Sequence, residues 1–270
     1  MATPLIQLSG RDTAVALGGV AAADLVGEEL LGTDRCDGAR LVPGYEDPEL
    51  VVLEDAHHRA RCVFPAAGLR DCRAAALTAL AARELTAATG PMTVVLVGSW
   101  SGRDPLLVLL VHQFPRVDRI ALCPSSAARG APADPALVAA VDLSGVALSV
   151  VDDVRSAVRG AALVVVGGPG DALLTADALD PGALVVDVSG DAVACAVAAD
   201  QVYVDDARLA GDRVVDAELG QVLRGEHPGR KGDEQVLLVE LLTAGAPTPA
   251  LARSLHESAV ARGRGVWLAP

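Results

Sequence analysis

The sequence predicts an α/β protein in which a doubly wound parallel sheet is inserted into a smaller α+β unit made from both chain ends. Three observations carry this expectation. From residue 92 onward, short and nearly unbroken apolar runs alternate with helical patterns, as they do when helices cover both faces of a parallel sheet. The first run, Met92-Thr93-Val94-Val95-Leu96-Val97, passes through a glycine-containing turn into a helical pattern marked by Leu106, Leu107, Leu109 and Leu110. After residue 206 the alternation gives way to a different pattern, which leaves the two chain ends to form the second unit. The expected boundaries are 91–234 for the sheet domain, and 1–90 with 235–270 for the smaller one.

Bulk composition limits the rest. A chain of 270 residues has room for one large or two smaller domains with ample core. Its 51% hydrophobic and 21% charged content is that of a globular chain rather than a disordered one. Aromatic residues make up only 2%, so Ala, Val and Leu must build the core. The formal net charge of −13 argues against nucleic acid or an anionic membrane as a partner. Cys36, Cys62, Cys72, Cys123 and Cys195 are scattered and include no C-x-x-C pair, which points to reduced thiols, a cytoplasmic location and no zinc site. The N-terminus lacks a charged region followed by an apolar core, so no signal peptide is expected. No apolar run approaches the ~18 residues of a membrane span.

Taken in order, Leu5 to Leu8 reads as a short strand. A helix follows, starting near Ser9 or Asp12 as N-cap and burying Val15, Leu17, Val20, Leu25 and Leu30. Residues 33–48, rich in Gly, Asp and Pro, read as loop. Leu50-Val51-Val52-Leu53 and Arg61 to Phe64 read as strands joined by the polar turn Asp55-Ala56-His57-His58. His57 and His58 would face opposite sides of a strand and have no third ligand nearby, so an exposed turn is preferred to a metal site. Cys72 to Ala88 is a helix of strong helix formers, stopped at Gly90-Pro91. Strands are then expected at Val94–Val97, Arg119–Leu122, Val146–Val150, Ala162–Val166, Ala183–Val188 and Gln201–Val204. Helices are expected near 104–114, 134–141 and 152–159. A helix over Asp216–Leu223 and a charged loop to Asp233 come next. A compact apolar segment at Val236–Leu242 precedes a last helix, Leu251–Ala261, which is expected to return to the N-terminal region.

The chemically informative stretch is Gly98-Ser99-Trp100-Ser101-Gly102-Arg103-Asp104. A strand that turns tightly into a helix presents free N–H groups and a positive dipole end to a pyrophosphate. The G-x-G-x-x-G form of this turn uses its second glycine for close backbone approach and its third for helix–strand packing. Here Gly98 supplies the first glycine, while Trp100 and Arg103 occupy the other two positions. The indole either stacks on an adenine or nicotinamide ring or plugs the site as a core aromatic. Arg103 is available to replace lost backbone contacts to phosphate. The second sheet strand ends Leu122-Cys123-Pro124-Ser125-Ser126, without the acidic residue that holds a ribose diol. Ser125, Ser126 and Arg129 either meet a 2′-phosphate or form a plain serine-rich turn, so NAD and NADP both stay open.

Three further stretches stand in order along the chain. They are the helix Arg73-Ala74-Ala75-Ala76-Leu77-Thr78-Ala79-Leu80-Ala81-Ala82-Arg83; Leu179-Asp180-Pro181-Gly182-Ala183 through Ser189-Gly190-Asp191; and Tyr203-Val204-Asp205-Asp206 with Glu218 to Gly225 and Pro228-Gly229-Arg230. Together they resemble the Arg-Thr-Ala-Ala helix, the Leu-x-Pro-Gly strand with its Gly-Asp turn, and the Val-Asp-Asp, Leu-Gly-Glu-Val and Pro-Gly-Arg pattern of the ornithine cyclodeaminase/mu-crystallin family.

The resemblance implies a Rossmann-like domain set into a substrate and dimerisation domain, a homodimer, and hydride transfer between NAD or NADP and a small amino or imino acid. It implies that Arg73 holds the substrate carboxylate, for which a guanidinium fork is suited, and that Asp191 is the acid/base near the substrate nitrogen. Gly167 and Gly168 would line the cofactor cleft with Gly98, Ser99, Trp100, Ser101, Gly102, Arg103 and Ser125. The chain also departs from the family. It has no lysine between residues 33 and 64, and Val239-Glu240-Leu241-Leu242 replaces a Lys-Ser segment. These departures, with Trp100, keep a second reading open: a non-catalytic member serving as a binding or structural partner in a biosynthetic complex.

Overall fold

The computed structural model describes residues 5–33, 36–44, 47–87, 90–124, 134–168, 176–189, 199–246 and 248–268. The N-terminal part contains β1 (Leu5–Gln7), α1 (Gly10–Leu17), α2 (Ala22–Leu30), β2 (Arg40–Pro43), β3 (Leu50–Glu54), β4 (Ala60–Pro65) and α3 (Ala66–Leu85). The middle contains β5 (Met92–Val97), α4 (Arg103–Gln113), β6 (Val117–Cys123), α5 (Pro135–Leu143), β7 (Ala147–Val150), α6 (Val154–Ala157), β8 (Leu163–Val166), β9 (Leu184–Asp187) and β10 (Gln201–Val204). The C-terminal part adds β11 (Ala217–Glu218), α7 (Leu219–Leu223), β12 (Leu237–Glu240), α8 (Pro249–Ala261) and β13 (Val266–Leu268).

An eight-stranded sheet runs β11-β10-β12-β9-β8-β5-β6-β7, with every neighbouring pair parallel. Strand order reverses at β5, which lies between β6 and β8. Ligands of such sheets bind outside the carboxyl ends of the strands at this switch point. Val94, Leu96, Leu163 and Val165 join the core on one face, and Val95, Val97, Val164 and Val166 the core on the other. Burial on both faces is why these runs are unbroken rather than alternating.

The smaller sheet, β13-β1-β4-β3-β2, is mixed, and antiparallel pairing of β13 with β1 ties the chain ends together. α3 packs against α1, α2, α4, β4 and β9. With neighbours on so many sides it is buried all round from Cys72 to Ala82, and its alanines let those neighbours come close. Ser9 is the N-cap of α1: its hydroxyl accepts from the Asp12 N–H at 3.1 Å, while the Asp12 carboxylate accepts from the Ser9 N–H. The last helix does return to the N-terminal part, α8 packing on α1 and α2.

Several local expectations are corrected. The helix read as continuous from Ser9 is two helices, parted at Gly18-Gly19. A Cβ on Gly19 would lie 2.6 Å from the Arg262 guanidinium and 2.7 Å from Ser258 Oγ, so this glycine makes room for α8. β2 lies inside the stretch read as loop, because antiparallel pairing with β3 outweighs its weak local signal. α3 begins at Ala66 rather than Cys72, α6 keeps one turn of the expected 152–159 helix, and β11 precedes a shortened α7. The segment Val236–Leu242, assigned to the smaller domain, supplies β12 in register between β9 and β10. The sheet therefore takes a strand from beyond residue 234, as the unbroken apolar run of that segment permits. β13, absent from the sequence reading, is recruited by β1.

Candidate functional site

β5 ends at the turn 98–102 and the adjacent β8 ends at Gly167-Gly168, so the switch point brings two of the expected segments together. Their backbones touch. Gly98 has φ of +90°, and a Cβ there would lie 2.2 Å from the Gly167 carbonyl oxygen. Gly168 has φ of +101°, and its Cβ would lie 2.5 Å from the Ser99 carbonyl oxygen. Only glycine meets both the conformation and the space at these positions. The Gly98 N–H donates to the Cys123 carbonyl at 2.8 Å and the Gly167 N–H to the Val97 carbonyl at 2.9 Å, which joins the ends of β6, β5 and β8.

Trp100 closes this junction. Its half-buried indole packs against the main core. A Cβ on Gly102 would fall 2.1 Å from Trp100 Cζ2, and one on Gly167 would fall 2.5 Å from Trp100 Cβ. The ring thus lies on the bare backbone of Gly102 while its root rests against Gly167. Gly102 is the N-cap of α4 and provides no side-chain cap, so the helix end has the form that receives phosphate in this fold. Other features weaken it as an anion site. Asp104 places a carboxylate in the first turn, and Pro105 lacks an N–H. Arg103 Nε donates to Asp104 Oδ1 at 2.9 Å, and Ser101 Oγ donates to Asp71 Oδ1 at 2.8 Å. With the indole in this position, the turn does not fit a dinucleotide pyrophosphate.

Arg73 stands at the carboxyl edge of the sheet and is 2% exposed. Its partners come from within the chain. Nη1 donates to the Glu29 carboxylate, Nε to the Thr243 carbonyl at 3.1 Å and Nη2 to Thr243 Oγ1 at 3.0 Å. Thr243 Oγ1 donates in turn to Asp205, whose carboxylate also accepts the Leu242 N–H at 2.7 Å and the Thr243 N–H at 2.9 Å. The network pins α2 and α3 to the chain that follows β10 and β12. The carboxylate that meets Arg73 is therefore Glu29. Ser125 and Asp191 lie outside the described residues. In sequence Asp205 belongs to the Val-Asp-Asp pattern with no role of its own, and nothing in the local pattern marks Glu29 or Thr243.

A second carboxylate cluster also escaped the sequence reading. Glu240 and Asp187 are partners across β12 and β9 at their carboxyl ends, 2% and 1% exposed. Burial raises the Glu240 pKa; Arg213, with Nε 3.8 Å away, opposes the rise and Asp187 adds to it. A carboxyl raised above its unfolded value contributes stability that is complete below that value and lost as pH rises through the folded one. Glu240→Gln is therefore expected to flatten the decline in melting temperature as pH rises above about 4.3. Thermal unfolding over an acid-to-neutral buffer series measures this, and an unchanged slope would rule out a raised Glu240.

Burial pushes the Cys62 thiol up to about 12 and the Cys123 thiol up to about 11, which keeps both protonated at neutral pH. Among the described residues, no group of three His, Cys, Asp or Glu side chains is placed to hold a metal. His57 and His58 sit exposed in the hairpin turn. Among the same residues no helix is long and apolar enough to cross a membrane.

No protein-family model and no curated protein matches the chain. Solved structures do. The crystal structure of CmnK is similar at 18% identity over 99% of both chains, with a TM-score of 0.72. A probable ornithine cyclodeaminase from Bordetella pertussis Tohama I matches at 17% identity over 98% of this chain and 100% of its own, with a TM-score of 0.64. The Δ1-pyrroline-2-carboxylate reductase of Thermococcus litoralis, in complex with NADH and L-proline, matches at 12% identity over 97% of this chain and 99% of its own, with a TM-score of 0.62. At these identities the likeness concerns the fold, and along nearly its whole length this chain has the fold of ornithine cyclodeaminase and its structural neighbours.

Proposed function

We propose that the protein is an NAD(P)-dependent oxidoreductase acting on a small amino or imino acid. The observation that supports this reading is the strand reversal at β5, in a sheet shared with enzymes of that kind, with the 98–102 and 167–168 turns at its carboxyl edge. In this reading Asp191 is the acid/base, and Arg73 binds the substrate carboxylate once Glu29 gives way. A homodimer in the cytoplasm, built through the smaller sheet, belongs to the same proposal. The test is oxidation of NADH or NADPH in the presence of a panel of imino acids. Asp191→Asn is expected to lower kcat by roughly 10²–10⁴-fold, the usual worth of a general acid or base. Turnover insensitive to that substitution would remove Asp191 from the chemistry.

A second reading is favoured by one pair of observations. The chain's own groups occupy the expected ligand positions, the Trp100 indole on Gly102 and the Glu29 carboxylate on Arg73. On this reading the protein is a non-catalytic binding or structural partner. Failure of both the wild type and a folded Trp100→Gly variant to bind either dinucleotide would favour it.

A further inference from the structure

At the switch point an indole and a pyrophosphate would compete for one surface. The close approach that a bare Gly102 backbone normally offers to phosphate oxygens is taken by the Trp100 ring, and the space beside Gly167 is taken by its Cβ. Among the described residues the indole N–H has no hydrogen-bond partner, so apolar contact holds the ring in place. Side-chain rotation moves the ring off Gly102, while its Cβ stays beside Gly167. Once the ring leaves, the Gly102 backbone is uncovered at the start of α4, with the Arg103 guanidinium, bonded to the Asp104 carboxylate, on the adjoining residue.

We infer that Trp100 is a plug on the dinucleotide crevice: NAD(P) binds only when the indole leaves the junction of Gly102 and Gly167. This rests on the oxidoreductase reading above and adds a gate to it. Two consequences follow from the geometry. Apparent cofactor affinity is reduced by the fraction of molecules in which the crevice is closed, and the reduction disappears when the ring is removed. Binding also transfers the indole from a half-buried to a more hydrated setting.

The experiment is calorimetric titration of the wild type, Trp100→Gly and Trp100→Phe with NADH and with NADPH, each variant first shown to be folded by circular dichroism and thermal melting. A parallel titration of Trp267→Phe with NAD⁺ and NADP⁺ follows tryptophan emission. The chain has two tryptophans, so this substitution on the exposed strand β13 leaves Trp100 as the sole emitter. Trp100→Gly is expected to bind at least about tenfold more tightly than the wild type, a difference of about 1.4 kcal/mol. Trp100→Phe should fall between them, and Trp100 emission should shift to longer wavelength on saturation. Equal affinities in wild type and Trp100→Gly, or binding without a change in emission, would overturn the plug and leave the oxidoreductase reading intact. If no folded variant binds either cofactor, the oxidoreductase reading fails and the plug fails with it.

Discussion

Arg73→Ala is expected to lower the unfolding free energy by roughly 2–4 kcal/mol, read from the midpoint of denaturant unfolding. Removing one partner of a buried ion pair commonly costs about 3–5 kcal/mol. The lower end applies because the Glu29 side chain is 27% exposed and regains water when the guanidinium is gone. The loss does not stop at the ion pair. Thr243 loses both contacts from Arg73, and the segment after β12 loses its tie to α3. Glu29→Gln, which keeps a hydrogen-bond acceptor at the same place, is expected to cost less. These outcomes measure the clamp, and the substrate role proposed for the same arginine is read separately from ligand affinity. A clamp between α2, α3 and the chain after β12 shows itself in the unfolding midpoint without any ligand present. A group reserved for substrate would leave that midpoint unchanged when replaced and would lower ligand affinity instead.

Gly98→Ala should cost about 2–4 kcal/mol, the sum of a strained positive φ and an overpacked contact. The new Cβ would sit 2.2 Å from the Gly167 carbonyl oxygen, which belongs to backbone anchored by its own hydrogen bond to Val97. Neither side has a flexible chain to move, so the ends of β5 and β8 must separate. Gly102 offers the contrast. Its φ of −72° suits any residue, and the atoms that an alanine would meet belong to the Trp100 ring. Gly102→Ala is therefore expected to destabilise the wild type and to be nearly neutral when Trp100 is already glycine. Urea unfolding of the two single variants and the double variant gives the coupling directly. Additive effects at 100 and 102 would mean that the indole does not rest on that backbone.

The parallel sheet, the strand–turn–helix at 92–113 and the return of the last helix to the N-terminal part were legible in the sequence, whereas the strand order that reverses at β5 was not. Each legible feature depends on a local pattern: an apolar run, a glycine turn, a helical repeat. Elements that depend on a distant partner were not. β2 and β13 are short strands held by β3 and β1, and β12 reads as an apolar segment whose sheet membership is set by β9 and β10.

The site divides in the same way. Gly98, Trp100, Gly102 and Gly167 were found because a turn keeps its signature within a few residues. What each does was decided by atoms far away in the chain. Arg73 reads identically in sequence whether its guanidinium waits for a substrate or holds a carboxylate of its own chain, because the chemistry of the fork is the same in both cases. Glu29 is 44 positions before it and Thr243 is 170 after it, and only the packing of α2 and the end of β12 around α3 brings them within hydrogen-bond reach. Likewise a tryptophan in a glycine position marks an irregular turn, but the contact of its Cβ with Gly167 follows from β5 and β8 lying side by side.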